Sequence, residues 1–202
     1  MFKYFVIHKP FQVLSQFSSP DVRNAEKQIK RTLKDYFQVP RDVYPVGRLD
    51  YDSEGLLVLT NDTALNHRLL NPSFAHRREY WVQIEGVIDD AALQELRSGI
   101  EINIDGNLYQ CKKCLVDRFD PGPHVLPRTP PVRFRKMIPT SWIKLVITEG
   151  KNRQVRRMTA KVGFPTLRLI RYRIEGLTLN GLRSGDMSEL EKRTIYHSLF
   201  GE

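Results

Sequence analysis

The chain has 202 residues, 41% of them hydrophobic, which suffices for one good-sized core or two small lobes. Its formal net charge of +9 favours a polyanionic partner. No apolar run approaches the ~20 residues that a membrane-spanning helix needs. The opening MFKYFVIHKPF lacks the small-residue cleavage site of a signal peptide. We therefore predict a cytosolic protein that does not contact a membrane.

The first third of the chain predicts a strand, a helix and a buried strand. Residues 3–8 form the strand, and Ser19-Pro20 introduces a helix. The apolar residues of that helix recur at helical spacing: Ala25, Ile29, Leu33 and Phe37. Residues 56–59, LLVL, then indicate a buried strand. A short helix from Ala64 to Leu70 follows it and ends before Pro72.

The middle of the chain alternates strands with a capped helix. Aromatic and β-branched residues predict a strand over 80–84, and Asp89 and Gly99 are typical of the start and end of a helix. Asp105-Gly106 predicts a hairpin turn after a strand over 100–104. Hairpin signals among alternating strands and helices indicate an α+β fold, with a mixed, mostly antiparallel sheet and helices packed on it.

The last third predicts a strand over 142–148 and then an amphipathic helix. One face of this helix is apolar, and its members are Val155, Met158, Thr159 and Val162. The opposite face is basic, and its members are Arg153, Arg156, Arg157 and Lys161. A basic face of this kind is ordinarily a solvated surface. The alternative is that it binds the phosphates of a nucleic acid.

Residues 121–139 form a proline-rich, basic loop that holds six of the 12 prolines. Its cations are Arg128, Arg133, Arg135 and Lys136. A loop of this length is functional or disordered in most proteins. The loop is therefore either a clamp on RNA phosphates or a solvated linker.

The two cysteines, Cys111 and Cys114, form a single CxxC. A zinc site would need a second pair or two suitably spaced histidines. A redox CxxC should open a helix, whereas LYQCKKCLVDRF is typical of extended chain. We predict two reduced thiols and no metal site.

The most informative stretch runs from Tyr44 to Asp62, YPVGRLDYDSEGLLVLTND. Gly47 permits a tight turn, Leu49 anchors it, and the turn leads into the buried strand. This arrangement would hold Asp50 at the end of a rigid strand, where a reactive group can be positioned accurately. The alternative is that Asp50 only caps backbone groups, as aspartates in turns commonly do.

GRLDxxSxGLLxLTND resembles the catalytic motif of the bacterial pseudouridine synthases that modify ribosomal RNA. Four further segments are similar to that family in the expected order: FVIHKPFQVLSQF, RREYWVQIEG, KLVITEGKNRQVRRM and TLRLIRYRIEGLTL. Long motifs in a fixed order are a specific signal, and together they extend over about the whole chain.

The resemblance implies that residues 1–202 form a single catalytic domain with the pseudouridine synthase fold. In that fold two α/β lobes share a bent sheet, and the active site lies in a cleft between them. Many relatives carry a small basic RNA-binding domain before the strand that leads into Lys9-Pro10, and no such domain is expected here. That absence favours large-subunit (23S) ribosomal RNA as the substrate, modified at a specific uridine by a monomer without a cofactor.

The resemblance also implies the catalytic residues. Asp50 is the carboxylate that acts on the sugar or the base, and its neighbours Asp52 and Glu54 are alternatives that the motif does not favour. Arg156 would keep the Asp50 carboxylate ionised, because a nearby cation opposes the effect of burial. Tyr80 would stack on the detached uracil. By itself, Tyr80 would also suit any half-buried strand.

Four further basic residues are candidates to bind RNA. The resemblance implies that Arg48 fills the space of the flipped-out nucleotide. Lys9 of the KP pair is either structural or a phosphate contact, and Arg153 and Arg157 extend the basic face beside Arg156.

The alternative function is a non-catalytic RNA-binding or ribosome-assembly protein. Such a protein would need the basic surface but not Asp50. A nucleotide-dependent enzyme is disfavoured, because GxxxxGK[ST] and the dinucleotide-binding glycine pattern are both absent from the sequence.

Overall fold

The computed structural model describes residues 1–18, 30–133 and 135–202. The elements in chain order are β1 (Tyr4–Lys9), β2 (Val13–Leu14), β3 (Arg31–Thr32), β4 (Tyr44–Pro45), β5 (Glu54–Thr60), α1 (Thr63–Leu70), β6 (Arg78–Glu85), α2 (Asp90–Ser98), β7 (Glu101–Ile104), β8 (Asn107–Gln110), β9 (Leu115–Arg118), β10 (Thr140–Ile147), α3 (Gln154–Lys161), β11 (Thr166–Ile174), β12 (Leu177–Thr178), β13 (Met187–Glu189) and α4 (Lys192–Phe200). Short 3-10 helices occupy Leu33–Asp35 and Pro72–Phe74.

The chain divides into two compact units, which consist of residues 1–74 with 173–202 and of residues 75–172. In the first unit, β1 pairs antiparallel with both β13 and β5. All seven residues of β5 are buried, as the apolar run in the sequence predicts. β4 pairs antiparallel with β5. One core cluster of this unit consists of Phe5, Ile7, Val13, Leu33, Phe37, Val43, Leu57 and Leu59.

Helices α1 and α4 also belong to the first unit. Asp62 caps α1, because its side chain accepts the backbone N–H groups of Ala64 and Leu65. α4 lies against the turn before β12, where the Gly176 amide donates to the carbonyl of Ser198 at 2.8 Å. A Cβ at Gly176 would stand only 2.7 Å from that carbonyl oxygen, so glycine permits the close approach.

In the second unit, β6 pairs antiparallel with β10 along its whole length, and β10 pairs antiparallel with β9. α2 begins after its cap, Asp89, and ends at Gly99, as predicted. β7 and β8 form the predicted hairpin, in which Asp105 and Gly106 both have positive φ. The core cluster joins the helices to the strands. Its members include Val82, Ile84, Leu93, Leu96, Ile143, Leu145, Val155 and Met158.

The helix predicted after Ser19-Pro20 is wrong where the structure describes it. Positions 19–29 lie outside the described residues, and the next residues form β3 and a 3-10 turn. The Asp35 carboxylate accepts the Thr32 amide at 2.6 Å and the Thr32 hydroxyl at 3.1 Å. Such local side-chain bonds compete with helix formation. Leu33 and Phe37 are buried as expected, although no α-helix carries them.

The α+β class with a mixed, mostly antiparallel sheet is confirmed. β2 and β3 form a separate two-stranded parallel sheet. Hydrogen bonds, among them two from arginine side chains, attach the proline-rich loop to the rest of the second unit. Arg168 donates to the carbonyl of Leu126 at 2.9 Å, and Arg135 pairs with Glu85 at 2.7 Å. These contacts favour an anchored segment over a free linker. Among the residues that the structure describes, no helix has the length and apolar character to cross a bilayer.

Candidate active site

Asp50 lies in a tight turn between β4 and β5. Gly47 has a φ of +73°, which a residue with a side chain rarely adopts. The Val46 amide donates to the carbonyl of Val58 at 2.8 Å, and the Ser53 amide donates to the carbonyl of Asp50 at 3.0 Å. These bonds fix the backbone at Asp50. The residue is half-buried, so its side chain is not enclosed in the core.

The neighbouring carboxylates differ from Asp50 in burial or position. Glu54 is only 1% exposed at the start of β5, so it cannot reach an RNA without unfolding the strand. Asp52 is half-buried like Asp50. Arg48, in the same turn, is exposed and therefore accessible to a phosphate or a base.

Ser15, which the sequence did not single out, is bonded to this turn. Its hydroxyl donates to the carbonyl of Leu49 at 2.8 Å and accepts the Leu49 amide at 3.0 Å. The two residues are 34 positions apart, so no local pattern could have revealed the contact.

The environment of Lys9 favours the structural alternative over a phosphate contact. It is fully buried, and its ammonium donates to the carbonyls of Pro10 and Val13, each at 2.8 Å. An ammonium removed from solvent and bonded to the backbone does not present its charge to RNA. Lys9 instead fixes the segment that contains Ser15.

Tyr80 lies on β6, and its side chain belongs to the core cluster of the second unit. It is 8% exposed, and the Arg171 side chain hydrogen-bonds to it. Burial lowers the pKa of Arg171, and the neighbouring charge of Arg78 lowers it further, whereas Tyr80 opposes the shift. Arg171 lies within the segment TLRLIRYRIEGLTL, which carries part of the family resemblance, but the sequence predicted no role for it.

Arg156 is the third residue of α3 and is half-buried. Its guanidinium lies 3.4 Å from the carbonyl oxygen of Thr166. The Thr159 hydroxyl bonds to the Thr166 hydroxyl at 2.7 Å, which joins α3 to the start of β11. Arg156 therefore extends from a helix that is bonded to the start of β11.

Arg153 and Arg157 differ in a way that the helical pattern did not predict. Arg153 is exposed, whereas Arg157 contacts the β7–β8 hairpin. Its guanidinium donates to the carbonyl of Asn103 at 2.6 Å and to the Asp105 carboxylate at 3.1 Å. These bonds favour a structural role for Arg157, because each of its three guanidinium nitrogens already donates to a protein acceptor.

A buried carboxylate, Glu149, organises the loop before α3. It accepts the Tyr109 hydroxyl at 2.7 Å, the Lys112 amide at 2.9 Å and the Gln154 side chain at 2.5 Å. The bond to Glu149, together with burial, raises the pKa of Tyr109 to about 12. The network fixes the backbone that leads to Arg153, whose φ of +53° is strained for a residue with a side chain.

Cys111 and Cys114 are buried free thiols. Burial raises the pKa of each to about 11, so neither is a reactive thiolate near neutral pH. Within residues 1–18, 30–133 and 135–202, no group of three His, Cys, Asp or Glu side chains has the geometry to hold a metal ion.

Comparisons with known proteins identify the family to which the chain is similar. The family model described as RNA pseudouridylate synthase matches residues 3–161. Ribosomal large subunit pseudouridine synthase E of Xanthomonas axonopodis pv. citri is 51% identical over 177 residues, which cover 88% of each chain. The protein of the same name from Vibrio parahaemolyticus is 46% identical over 189 residues, which cover 94% of this chain and 74% of the relative.

A solved structure gives the same result for the fold. The crystal structure of a pseudouridylate synthase superposes with a TM-score of 0.76 at 23% identity. The superposition covers 98% of this chain and 74% of that one. The fold and the family that the motifs predicted are therefore both confirmed.

Proposed function

Because the chain belongs to the RNA pseudouridylate synthase family, we propose that it isomerises a specific uridine of large-subunit ribosomal RNA to pseudouridine, with Asp50 as the catalytic carboxylate. Membership makes the chain an isomerase. The choice of RNA follows the relatives at 46% and 51% identity, whose names specify the large subunit. The observation that carries the role of Asp50 is its half-buried position in a braced turn at the start of β5.

The reaction breaks the bond between uracil N1 and ribose C1′ and forms a bond between C5 and C1′. The C5 hydrogen leaves as a proton, and N1 gains one. No external reagent is consumed, so we infer that the enzyme works without a cofactor. A carboxylate can attack the ribose, add to the uracil ring or remove a ribose proton, and each route requires an accurately positioned group.

Tyr80 and Arg156 complete the proposed catalytic set. The Tyr80 ring would stack on uracil while it is detached, a role for which a side chain fixed on a β-strand is suited. Arg156 would supply positive charge to the reaction from a fixed helix. Arg48 and Arg153, both exposed, would bind the RNA backbone or fill the space of the flipped nucleotide. We further infer a monomer that acts in the cytoplasm.

The test uses ribosomal RNA labelled with tritium at uracil C5, because formation of the new bond expels that hydrogen into water. We expect the wild-type protein to release label from large-subunit RNA without any cofactor. The release should reach about one tritium-bearing C5 position per RNA molecule. Asp50→Asn should release none while it binds the RNA nearly as well as wild type.

The matched control is Asp52→Asn, which changes a second half-buried carboxylate two residues away and should retain turnover. Release by Asp50→Asn at the wild-type rate would refute the role of Asp50. If the wild-type protein released no label from large- or small-subunit RNA, naked or in particles, the function would be that of a non-catalytic RNA-binding protein.

A further inference from the structure

The backbone around Asp50 is held by a segment that lies far away in sequence. Ser15 uses its single hydroxyl twice, as a donor to the carbonyl of Leu49 at 2.8 Å and as an acceptor of the Leu49 amide at 3.0 Å. A serine hydroxyl has one proton and two lone pairs, so these bonds use its donor and one acceptor site. Ser15 is 8% exposed, which places this bridge out of reach of competing water.

The same segment fixes the other side of Asp50. The Gln12 amide donates to the carbonyl of Tyr51 at 2.8 Å. Leu49 and Tyr51, the residues on either side of Asp50, are therefore both bonded to residues 12–15. The segment is itself held by the buried Lys9 ammonium, which bonds to the carbonyls of Pro10 and Val13.

We propose that Ser15 is a positioning residue for the isomerisation, acting through the Leu49 peptide to fix the place of the Asp50 carboxylate. This inference rests on the proposed function of Asp50. Loss of the hydroxyl would remove the partner of two buried backbone groups and allow the turn to shift. Since a misplacement of about 1 Å can cost about 100-fold in rate, the effect should appear in kcat while KM changes little.

The experiment compares Ser15→Ala with Thr60→Val. Thr60 is a matched control, because its buried hydroxyl also bridges two backbone groups, donating to the carbonyl of Lys3 at 2.6 Å and accepting the Asp62 amide at 3.0 Å. We expect both variants to lower the unfolding midpoint by similar amounts. Only Ser15→Ala should lower kcat for tritium release, by about 10- to 100-fold, with KM within about twofold of wild type.

Two further variants and a hydrogen-exchange measurement keep the test decisive. Ser15→Thr retains the hydroxyl and should recover most of the lost kcat, and Ser15→Cys, with a weaker hydrogen-bonding group, should give an intermediate kcat even if Ser15→Ala does not fold. Hydrogen exchange at the Leu49 amide should be faster in Ser15→Ala or Ser15→Cys than in Thr60→Val.

Several outcomes would overturn the inference. It fails, and the proposed function stands, if the Ser15 variants keep wild-type kcat while Asp50→Asn is inactive. An equal loss of kcat in Thr60→Val, or unchanged exchange at Leu49, would also reject it. A wild-type protein that releases no label rejects the proposed function and the positioning role together.

Discussion

The Tyr196 hydroxyl donates to Oδ2 of Asp62 at 2.8 Å, and the contact ties α4 to the cap of α1. Tyr4 of β1 donates to the same oxygen at 2.8 Å, while Oδ1 accepts the amides of Ala64 and Leu65. Burial alone would raise the pKa of Asp62, but these four hydrogen bonds outweigh it and hold the pKa below its ordinary value. One buried carboxylate therefore links three elements of the first unit.

The stability of the protein should depend on pH through Asp62. A lowered pKa in the folded state means that the folded protein binds fewer protons than the unfolded chain in acid. The contribution is fully present above the unfolded pKa of about 3.9 and is lost as pH falls through the folded value. We expect Asp62→Ala to cost about 3 kcal/mol of unfolding free energy at pH 7, and this cost should shrink progressively below about pH 4.

Urea unfolding of wild type and Asp62→Ala between pH 3 and 7 would measure this difference. Asp89→Ala is the control. The Asp89 carboxylate caps α2 by accepting the Ala92 amide at 2.8 Å, whereas the Asp62 carboxylate also accepts two tyrosine hydroxyls. Asp89→Ala should cost about 1 kcal/mol. A cost for Asp62→Ala that stayed constant down to pH 3 would contradict the assignment.

Gly47→Ala should destabilise the turn that contains Asp50. The backbone there has a φ of +73°, and a Cβ would meet the Leu70 side chain at 2.9 Å. We expect a loss of about 1–3 kcal/mol of unfolding free energy. Gly150→Ala is the control, because a Cβ there meets nothing within 4 Å and no positive φ applies. Equal effects of the two substitutions would show that the turn is not strained.

Tyr80 and Arg171 should be energetically coupled. Tyr80→Phe removes only the hydroxyl to which the buried Arg171 guanidinium bonds, so it should cost about 1–3 kcal/mol of unfolding free energy. Arg171→Met removes the other partner. In a double-mutant cycle by urea unfolding, the coupling should be about 1–2 kcal/mol. Additive costs would show that the two side chains do not interact.

Substitution of Arg153 should affect RNA binding, whereas substitution of Arg157 should affect stability. Arg153 is exposed, whereas Arg157 is bonded to Asn103 and Asp105. Arg153→Ala should reduce the slope of log affinity against log salt by about 0.7–0.9 and leave the unfolding midpoint unchanged. Arg157→Ala should lower the midpoint and leave the slope nearly unchanged. RNA binding measured at several salt concentrations, with thermal unfolding, would reveal the reverse pattern if the assignment is wrong.

The elements that the sequence predicted correctly are those whose signals are local. The apolar run of β5, and Asp89 and Gly99 at the ends of α2, each lie within a few residues of the structure that they specify. The helix predicted through Leu33 failed because Asp35 bonds to Thr32, a competition that apolar spacing does not reveal.

The residues of the candidate site also differ in whether a local sequence signal marks them. Asp50 was predicted from a long motif, which a single sequence can display. Ser15 and Arg171 were missed because their contacts, to Leu49 and Tyr80, join residues that are distant in the chain. The contact between Arg157 and Asp105 was not predicted for a related reason, since the two residues are 52 positions apart.

The division of the chain also has a consequence for how it is made. The second unit is one continuous stretch, residues 75–172, whereas the first needs residues 1–74 together with 173–202. At ribosomal elongation rates, β1 must wait on the order of ten seconds for its partner β13. During that interval the nascent β1 has one edge without its strand neighbour, so this edge is open to non-native strand pairing until β13 has been made.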